Sequence, residues 1–361
     1  MIKQEEIKEL LDRYEKNKIS IATICSHSAL QIFHGAKQEG FKTIGIVNED
    51  RRATYDAFPL AKPDEYITVE NFSDILKEEM QEELRRKNAI VIAHGSFVEY
   101  VGPKNLENNF LVPMFGNRKT LEWENNRKKQ KEWLERAGIK LPKELPGPDK
   151  INGKVFVKFG GAKGGRGFFT ANSEKEFYDK LEGMKRRGKI PESEEKTFVI
   201  QEFVSGVRYY IHYFYSPVIN NGRLEMLGMD KRIEPIDESY RGLPDVPEEF
   251  FDYTVTGNQP IVLRESLLPP IIKMGHDVVK VSQDFFYPGM IGPFCLETMF
   301  HPDRGFVVFE ISARIVAGTN LYPLGSPYTC YVFDEPMSTG RRIAREIKIA
   351  NEKNCLEKII Y

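Results

Sequence analysis

The stretch VFVKFGGAKGGRGFF, residues 155–169, sets a lysine in an apolar, strand-like run and follows it with glycines at 160, 161, 164, 165 and 167. Without a Cβ, such residues let successive backbone N–H groups turn toward an anion. Lys163 and Arg166 add positive charge inside the loop, and Lys158 reaches in from the strand before it. The combination suits a polyphosphate. A flexible surface hairpin has a similar composition, so the loop alone leaves both readings standing. Two other phosphate motifs are excluded. Gly165 is followed by Arg166 and Gly167 rather than by Lys and Ser or Thr, and FFT after the loop is strand-like where a dinucleotide fingerprint needs a helix. A glycine loop between antiparallel strands reads instead as a flap over phosphates, which places Gly161, Gly164, Gly165 and Gly167 at a nucleotide.

A second group of residues is acidic. Glu297 stands in CLETMF and Glu310 in VVFEISARIVAG, with HPDRG predicted as the hairpin loop between two strands. Adjacent antiparallel strands set both carboxylates side by side on one face, where they repel unless a divalent cation joins them. Mg²⁺ takes few carboxylates and completes its shell with phosphate oxygens, so Mg²⁺ (or Mn²⁺) is the expected ion. Arg314, four residues after Glu310, is placed to stabilise charge on a transferring phosphoryl group. Solvated carboxylates on exposed strands are the alternative, weakened by their apolar neighbours. A third stretch, VIQEFVSGVRYYIHYF at 199–214, reads as a strand broken at Ser-Gly and resumed. Such a hinge can present backbone groups to an adenine edge. By itself it is only a β-hairpin.

These residues need a scaffold to bring them together. Ile19–Ile24, the helical pattern LQIFHGAKQEG and the run Thr43–Val47 form a βαβ unit, and a further strand-like run, AIVIAHGSF, starts at Ala89. Residues 1–116 therefore read as a small, doubly wound parallel-sheet domain of the Rossmann-like kind. Residues 117–138 read as one charged helix stopped by Gly138, and 117–145 as a connection that includes the Pro-rich LPKELPGP. Beyond it the pattern becomes mixed α+β and mostly antiparallel. A small lobe with the glycine flap spans 146–205, and a larger lobe with the carboxylate pair spans 206–361. The chain has 52 basic and 53 acidic residues, a net charge of −1 and 41% hydrophobic residues. That balance argues against a dedicated nucleic-acid or membrane-surface protein. Four scattered cysteines without a Cys-x-x-Cys indicate neither a zinc site nor a disulfide framework. With no apolar signal core or membrane-length run, a soluble cytoplasmic protein is expected.

The order of lysine strand and Gly-rich flap, then Gln-Glu-Phe-Val-Ser-Gly, then Glu…Glu-Ile-x-x-Arg resembles the ATP-grasp superfamily. The resemblance covers about residues 117–330, with WLERAGIKLP similar to the entry of that fold. It implies a two-lobed ATP-grasp domain, ATP as co-substrate and an acyl phosphate intermediate. Carried over, Glu297 and Glu310 are the metal ligands, and Lys158 and Arg314 are catalytic, Lys158 also binding ATP. Gln201, Glu202, Phe203 and Val204 form the adenine hinge. Two positions depart from the pattern. Ser312 stands where an Asn is frequent, and Val207 and Arg208 follow the hinge glycine where an acidic residue is frequent. Arg208 is assigned to the nucleotide, and Asp230 on the next strand is the substitute carboxylate.

Five stretches, TICSHSALQI, IAHGSFVEYVG, VKFGGAKGGRGFF, VTGNQPIVLRESLLP and FEISARIVAGTN, together look like the archaeal formate-dependent synthetases of purine biosynthesis. That resemblance implies ATP- and formate-dependent formylation of 5-aminoimidazole-4-carboxamide ribonucleotide (AICAR) by way of formyl phosphate. The expected partners are ATP, formate and AICAR, with no nucleic acid or membrane, in a homo-oligomer. Another carboxylate–amine ligase, or a nucleotide sensor without turnover, is the alternative. For the acceptor, His27 and Ser28 stand where a strand ends and a helix begins, a place that favours an anion such as a 5′-phosphate. His94, Gly95 and Ser96 follow another strand of the same sheet and converge on the same edge. Thr256, Gly257 and Asn258 read as a turn-rich loop, from which Asn258 meets the base carboxamide.

Overall fold

The computed structural model describes residues 2–159, 168–188, 198–234 and 255–361. Three sheets carry the architecture. The first is parallel: β1 (Ser20–Ile24), β2 (Lys42–Val47), β3 (Glu65–Thr68), β4 (Ala89–Ile92) and β5 (Met114–Phe115), in the order β3-β2-β1-β4-β5. Every residue of β1 is buried, as expected for a central parallel strand covered on both faces. The second sheet is antiparallel: β6 (Glu144–Leu145), β7 (Val155–Phe159), β8 (Phe168–Ala171) and β9 (Phe198–Glu202), in the order β6-β9-β7-β8. The third is also antiparallel: β10 (Val207–Ser216), β11 (Arg223–Ile233), β12 (Gly257–Pro260), β13 (Gly292–His301) and β14 (Gly305–Ser312), in the order β12-β11-β10-β13-β14. A parallel α/β unit joined to two antiparallel sheets is the expected fold class.

Side-chain alternation decides which faces meet. On β7, Val155, Val157 and Phe159 are buried together with Phe177 and Leu181 of the helix Glu174–Arg186, which turns Phe156 and Lys158 to the other face. On the third sheet, Ile211, Met229, Leu296 and Ile311 pack with Ile271 and Val278 of the helix Leu268–Phe285 and with Trp133. The opposite face of that sheet therefore carries the intervening residues, most of them polar.

Several local expectations change. The stretch 117–138 is two helices, Lys119–Asn125 and Arg127–Arg136. Asn126 breaks it because its side chain accepts from the backbone N–H groups of Lys128 and Lys129, at 3.1 and 3.2 Å, and so starts a new helix. The strand after Ala89 stops at Ile92, and a single wide turn follows at Phe97–Val101. Only Pro302, Asp303 and Arg304 separate β13 from β14, since His301 and Gly305 still pair. The supposed loop at 256–258 is the start of an edge strand, β12, because residues 257–260 pair with β11.

The helix Thr339–Glu352 lies in the segment expected as the large lobe, yet it packs on the helix Ala29–Gln38 of the parallel unit. Two glycines make that crossing possible. A Cβ on Gly35 would stand 2.1 Å from the Arg341 nitrogen, and one on Gly340 would stand 2.2 Å from the Gln31 oxygen. Glu39 clamps the crossing by accepting from Arg341 Nε at 2.7 Å and Arg345 Nε at 2.6 Å.

Candidate functional site

The carboxylate pair is built by register. Glu297 and Glu310 are direct partners on β13 and β14, and Tyr210 of β10 stands opposite Glu297 on its other side. Partners across an antiparallel ladder share a face, so these side chains lie in one row. Alternation adds Arg208 from β10 and Asp230 and Arg232 from β11 to the same face. Arg232 donates to Glu297 Oε1 at 2.6 Å, with its guanidinium 4.0 Å above the Tyr210 ring. Ser312 Oγ lies 3.3 Å from the same Oε1. Arg208 pairs with Glu234 at 2.6 Å. Burial pushes the Glu297 carboxyl above its ordinary pKa; Arg232 pulls it back and Glu310 pushes it further up. Among the described residues no group of three or more His, Cys, Asp or Glu is arranged to hold a metal ion. Two carboxylates side by side suit a divalent cation that completes its shell with phosphate oxygens and water.

Lys158 faces this row from the second sheet. No described carboxylate lies within ion-pair distance of it, and its Nζ is 5.4 Å from the Phe309 ring and 5.9 Å from that of Phe156. Burial lowers its pKa, Glu310 opposes that, and Arg127 adds to it. A small cleft with about 40 Å³ of enclosed space opens here, lined by Lys158, Gln201, Val199, Phe309 and Arg127. Of the expected hinge, Gln201 lines this cleft and Val204 is buried. The Phe203 ring is exposed and stacks on Phe156. The Glu202 carboxylate instead accepts from the Lys143 backbone at 2.9 Å and from Arg304 at 2.7 Å, which ties the two antiparallel sheets together. The flap glycines Gly161, Gly164, Gly165 and Gly167 lie outside the described residues, between the paired ends of β7 and β8.

The loops after β1 and β4 do converge. The rings of His27 and His94 stack with centroids 5.3 Å apart and 5° between planes. His94 is fully buried. Its Nε2 donates to the Ile24 carbonyl at 2.9 Å and its Nδ1 accepts from Ser96 N at 3.2 Å, so both bonds require one neutral tautomer. Burial moves its pKa down to about 4. His27 has φ +51° and bonds Ser28 Oγ through Nδ1 at 2.7 Å. Desolvation by the cleft walls, then His94, Arg314 and Arg232, hold its pKa well below the ordinary value. Neither His27 nor Ser28 caps the following helix with its side chain. A Cβ on Gly95 would sit 3.7 Å from the Arg314 guanidinium carbon, so the end of β14 reaches these loops.

Two residues differ from expectation. Asp230, the substitute nucleotide carboxylate, is buried with both oxygens engaged: Oδ1 with His212 Nε2 and Oδ2 with Asn258 Nδ2, each at 2.7 Å. Asn258 stands on a strand rather than in a loop, opposite Arg232. Four residues were not singled out from the sequence. Arg232, Glu234 and His212 follow the same alternation as Asp230 and Tyr210; Arg232 became visible once β11 was seen to run on to Ile233, whereas His212 on β10 carried the signal already. Glu124 had no local signal. It pairs with Arg314 at 2.9 Å and accepts from Ala313 N at 2.8 Å, from a helix that reads as plain charged surface.

Comparison with known proteins gives the following. Residues 176–361 match the family described as "Domain of unknown function (DUF1297)", and residues 21–145 the one described as "Protein of unknown function (DUF1246)". The chain is 52% identical over 368 residues, covering all of both chains, to the 5-formaminoimidazole-4-carboxamide-1-(beta)-D-ribofuranosyl 5′-monophosphate synthetase of Korarchaeum cryptofilum. It is similar to the crystal structure of an IMP biosynthesis protein PurP from Thermococcus kodakaraensis, with TM-score 0.75, 34% identity, and coverage of 94% of this chain and 100% of that one. A more distant likeness shows the fold alone: the biotin carboxylase domain of Hydrogenobacter thermophilus 2-oxoglutarate carboxylase, solved with MgADP, has TM-score 0.62 at 15% identity, covering 90% of this chain and 69% of that one.

Proposed function

The chain belongs to the family of 5-formaminoimidazole-4-carboxamide ribonucleotide synthetases, and from that premise we propose that it is an ATP-grasp ligase joining formate to the 5-amino group of AICAR. Formate oxygen attacks the γ-phosphorus of ATP and ADP leaves. The amine nitrogen then attacks the formyl carbon of formyl phosphate, and phosphate and a proton depart. The observation that carries this reading is the position of Arg314. Four residues past Glu310 in sequence, it stands beside Gly95 and near the His27–His94 pair, which supports assigning the carboxylate row and the two loops to one site.

The residues divide the work. Lys158, a cation without a described carboxylate partner, neutralises polyphosphate oxygens, and Gln201 and its neighbours hold the adenine edge. The glycine-rich segment is assigned to the phosphates on its sequence alone. Glu297 through Oε2, its Oε1 being held by Arg232, and Glu310 are the ligands for a divalent cation. Bound there, Mg²⁺ or Mn²⁺ would supply charge neutralisation on the transferring phosphoryl group. Glu124 fixes Arg314 so that its guanidinium meets charge between the two substrates. The ribonucleotide lies over His27, Ser28, His94, Gly95 and Ser96, with Asn258 at its base. The enzyme works in the cytoplasm as a homo-oligomer. Among the described residues no helix is long and apolar enough to cross a membrane.

The test is ADP release with formate and AICAR supplied together and singly, with the formylated ribonucleotide followed by mass spectrometry. One product per ADP, dependent on both substrates, is expected. ADP release that needs a different carboxylate or amine sinks the assignment.

A further inference from the structure

The amide of Asn258 is held in one orientation by a group behind it. The Asp230 carboxylate has only acceptor atoms, so the two nitrogens at 2.7 Å must both be donors: Nε2–H of His212 on Oδ1 and Nδ2–H of Asn258 on Oδ2. Asp230 is 1% exposed and cannot turn away. The 3₁₀ turn Ala317–Leu321 closes over it so tightly that a Cβ on Gly318 would stand 2.2 Å from Oδ1. That same turn reaches the acceptor loops, where Asn320 Nδ2 donates to the His27 carbonyl at 3.4 Å and Thr319 bonds Gln31 at 2.7 Å. Asn258 itself is only half-buried and stands opposite Arg232, whose charge is felt at His27.

We propose that Asp230, backed by His212, is a positioning residue that fixes the Asn258 amide with its nitrogen inward, so that its carbonyl Oδ1 is the group offered to the acceptor. This rests on the proposed AICAR reading and deepens it. A fixed carbonyl accepts from an N–H and repels a carboxylate. The site therefore selects a ribonucleotide whose base carries a carboxamide NH₂ and rejects the otherwise matching 4-carboxylate. An asparagine without Asp230 behind it rotates its amide at little cost and presents either end, and that selectivity is lost.

The experiment measures kcat/KM for the 4-carboxamide and the 4-carboxylate forms of the 5-aminoimidazole ribonucleotide, in the wild type and in Asp230→Asn. The wild type is expected to favour the carboxamide by at least about 100-fold. Asp230→Asn keeps shape but offers an N–H to the Asn258 carbonyl, and the ratio should fall about tenfold or more while the KM for ATP stays within about twofold. Asn258→Ala, at the less buried position, should lower the ratio likewise and carries the test if Asp230→Asn does not fold. A folded Asn258→Ala or Asp230→Asn with an unchanged ratio overturns the positioning role, and so does a wild type that does not discriminate. If the wild type turns over AICAR with formate but the variants keep their selectivity, only this inference fails. If AICAR is not turned over at all, the functional reading falls and takes the inference with it.

Discussion

Two clusters of buried charge sit in this molecule, and they differ in completeness. Under the helix Thr339–Glu352, Arg342 is fully buried and bonds Glu225 at 2.7 and 3.1 Å and Glu346 at 2.8 Å, over the Phe214 ring. Ser216 donates to the remaining Glu346 oxygen at 2.6 Å, and Arg223 adds a second cation at Glu225. Every carboxylate there is answered. In the cleft, by contrast, Glu297 and Glu310 face each other, and Lys158 has no carboxylate in pairing distance among the described residues. The Arg314 Nε is buried without a partner among them. Burying a charge is costly unless it is paired. The closed cluster meets that cost within the chain. The open one leaves part of it unmet among the described residues, as the proposed polyphosphate and cation site requires, and that incomplete pairing is what sets it apart from a strut.

Substitutions can break the contrast. The largest effect belongs to the closed cluster. Arg342→Ala strands two buried carboxylates and should cost about 3–5 kcal/mol of stability, with kcat per folded molecule nearly unchanged. Chemical unfolding beside active-site titration measures both, and a loss of kcat without a loss of stability would make the strut part of the site. In the open cluster the signs reverse. Glu310→Gln should lower kcat by about 10²- to 10³-fold while the melting temperature holds or rises, because a repelling charge is gone. A folded variant with near-normal ADP release contradicts the metal role.

The next effect is a pH dependence. His94 has a folded pKa of about 4 against the ordinary 6.5, so the unfolded chain takes up the proton first as pH falls. Its contribution is complete above about pH 6.5 and is lost on the way down to about pH 4, by up to about 3 kcal/mol. Urea midpoints at pH 7 and 4.5 should fall for the wild type and fall less for His94→Gln; equal losses would show that this ring is not the cause. The smallest effect is at the mouth of the cleft. His27→Asn keeps a residue that tolerates positive φ and should raise the KM for the ribonucleotide about 10- to 150-fold, the range of one hydrogen bond to a charged group. The KM for ATP and the melting temperature should hardly move, since His27 caps nothing. Saturation curves for both substrates decide whether this loop belongs to the acceptor.

Much of the site was legible because its signals are local. A strand pair with a short turn implies partnered carboxylates, and Glu297 and Glu310 are partners. A lysine at an alternating position of VFVKF must face away from its apolar neighbours, and Lys158 does. Strand ends of a parallel sheet converge, and His27 meets His94. What stayed hidden depends on contacts remote in sequence. The Glu124–Arg314 pair joins residues nearly two hundred apart. Asp230 looked like an open carboxylate because nothing in the sequence shows that His212 and Asn258 flank it. Asn258 looked like part of a loop because GNQP has no strand signal of its own, and only pairing with β11 makes it one.

The crossing of Gly35 and Gly340 has a consequence for how the chain is made. Gln31 and Gly340, bonded at 3.2 Å, are 309 residues apart. The helix Ala29–Gln38 is made about 300 residues before its partner, and the face it buries against that partner has no cover until residues 339–352 have left the ribosome. The parallel unit therefore keeps an apolar seam exposed while the intervening chain is made, and it closes only by a contact of very high sequence separation, slow to form and open to capture by another nascent chain. The two glycines that let the backbones touch thus serve a docking step between segments made far apart in time.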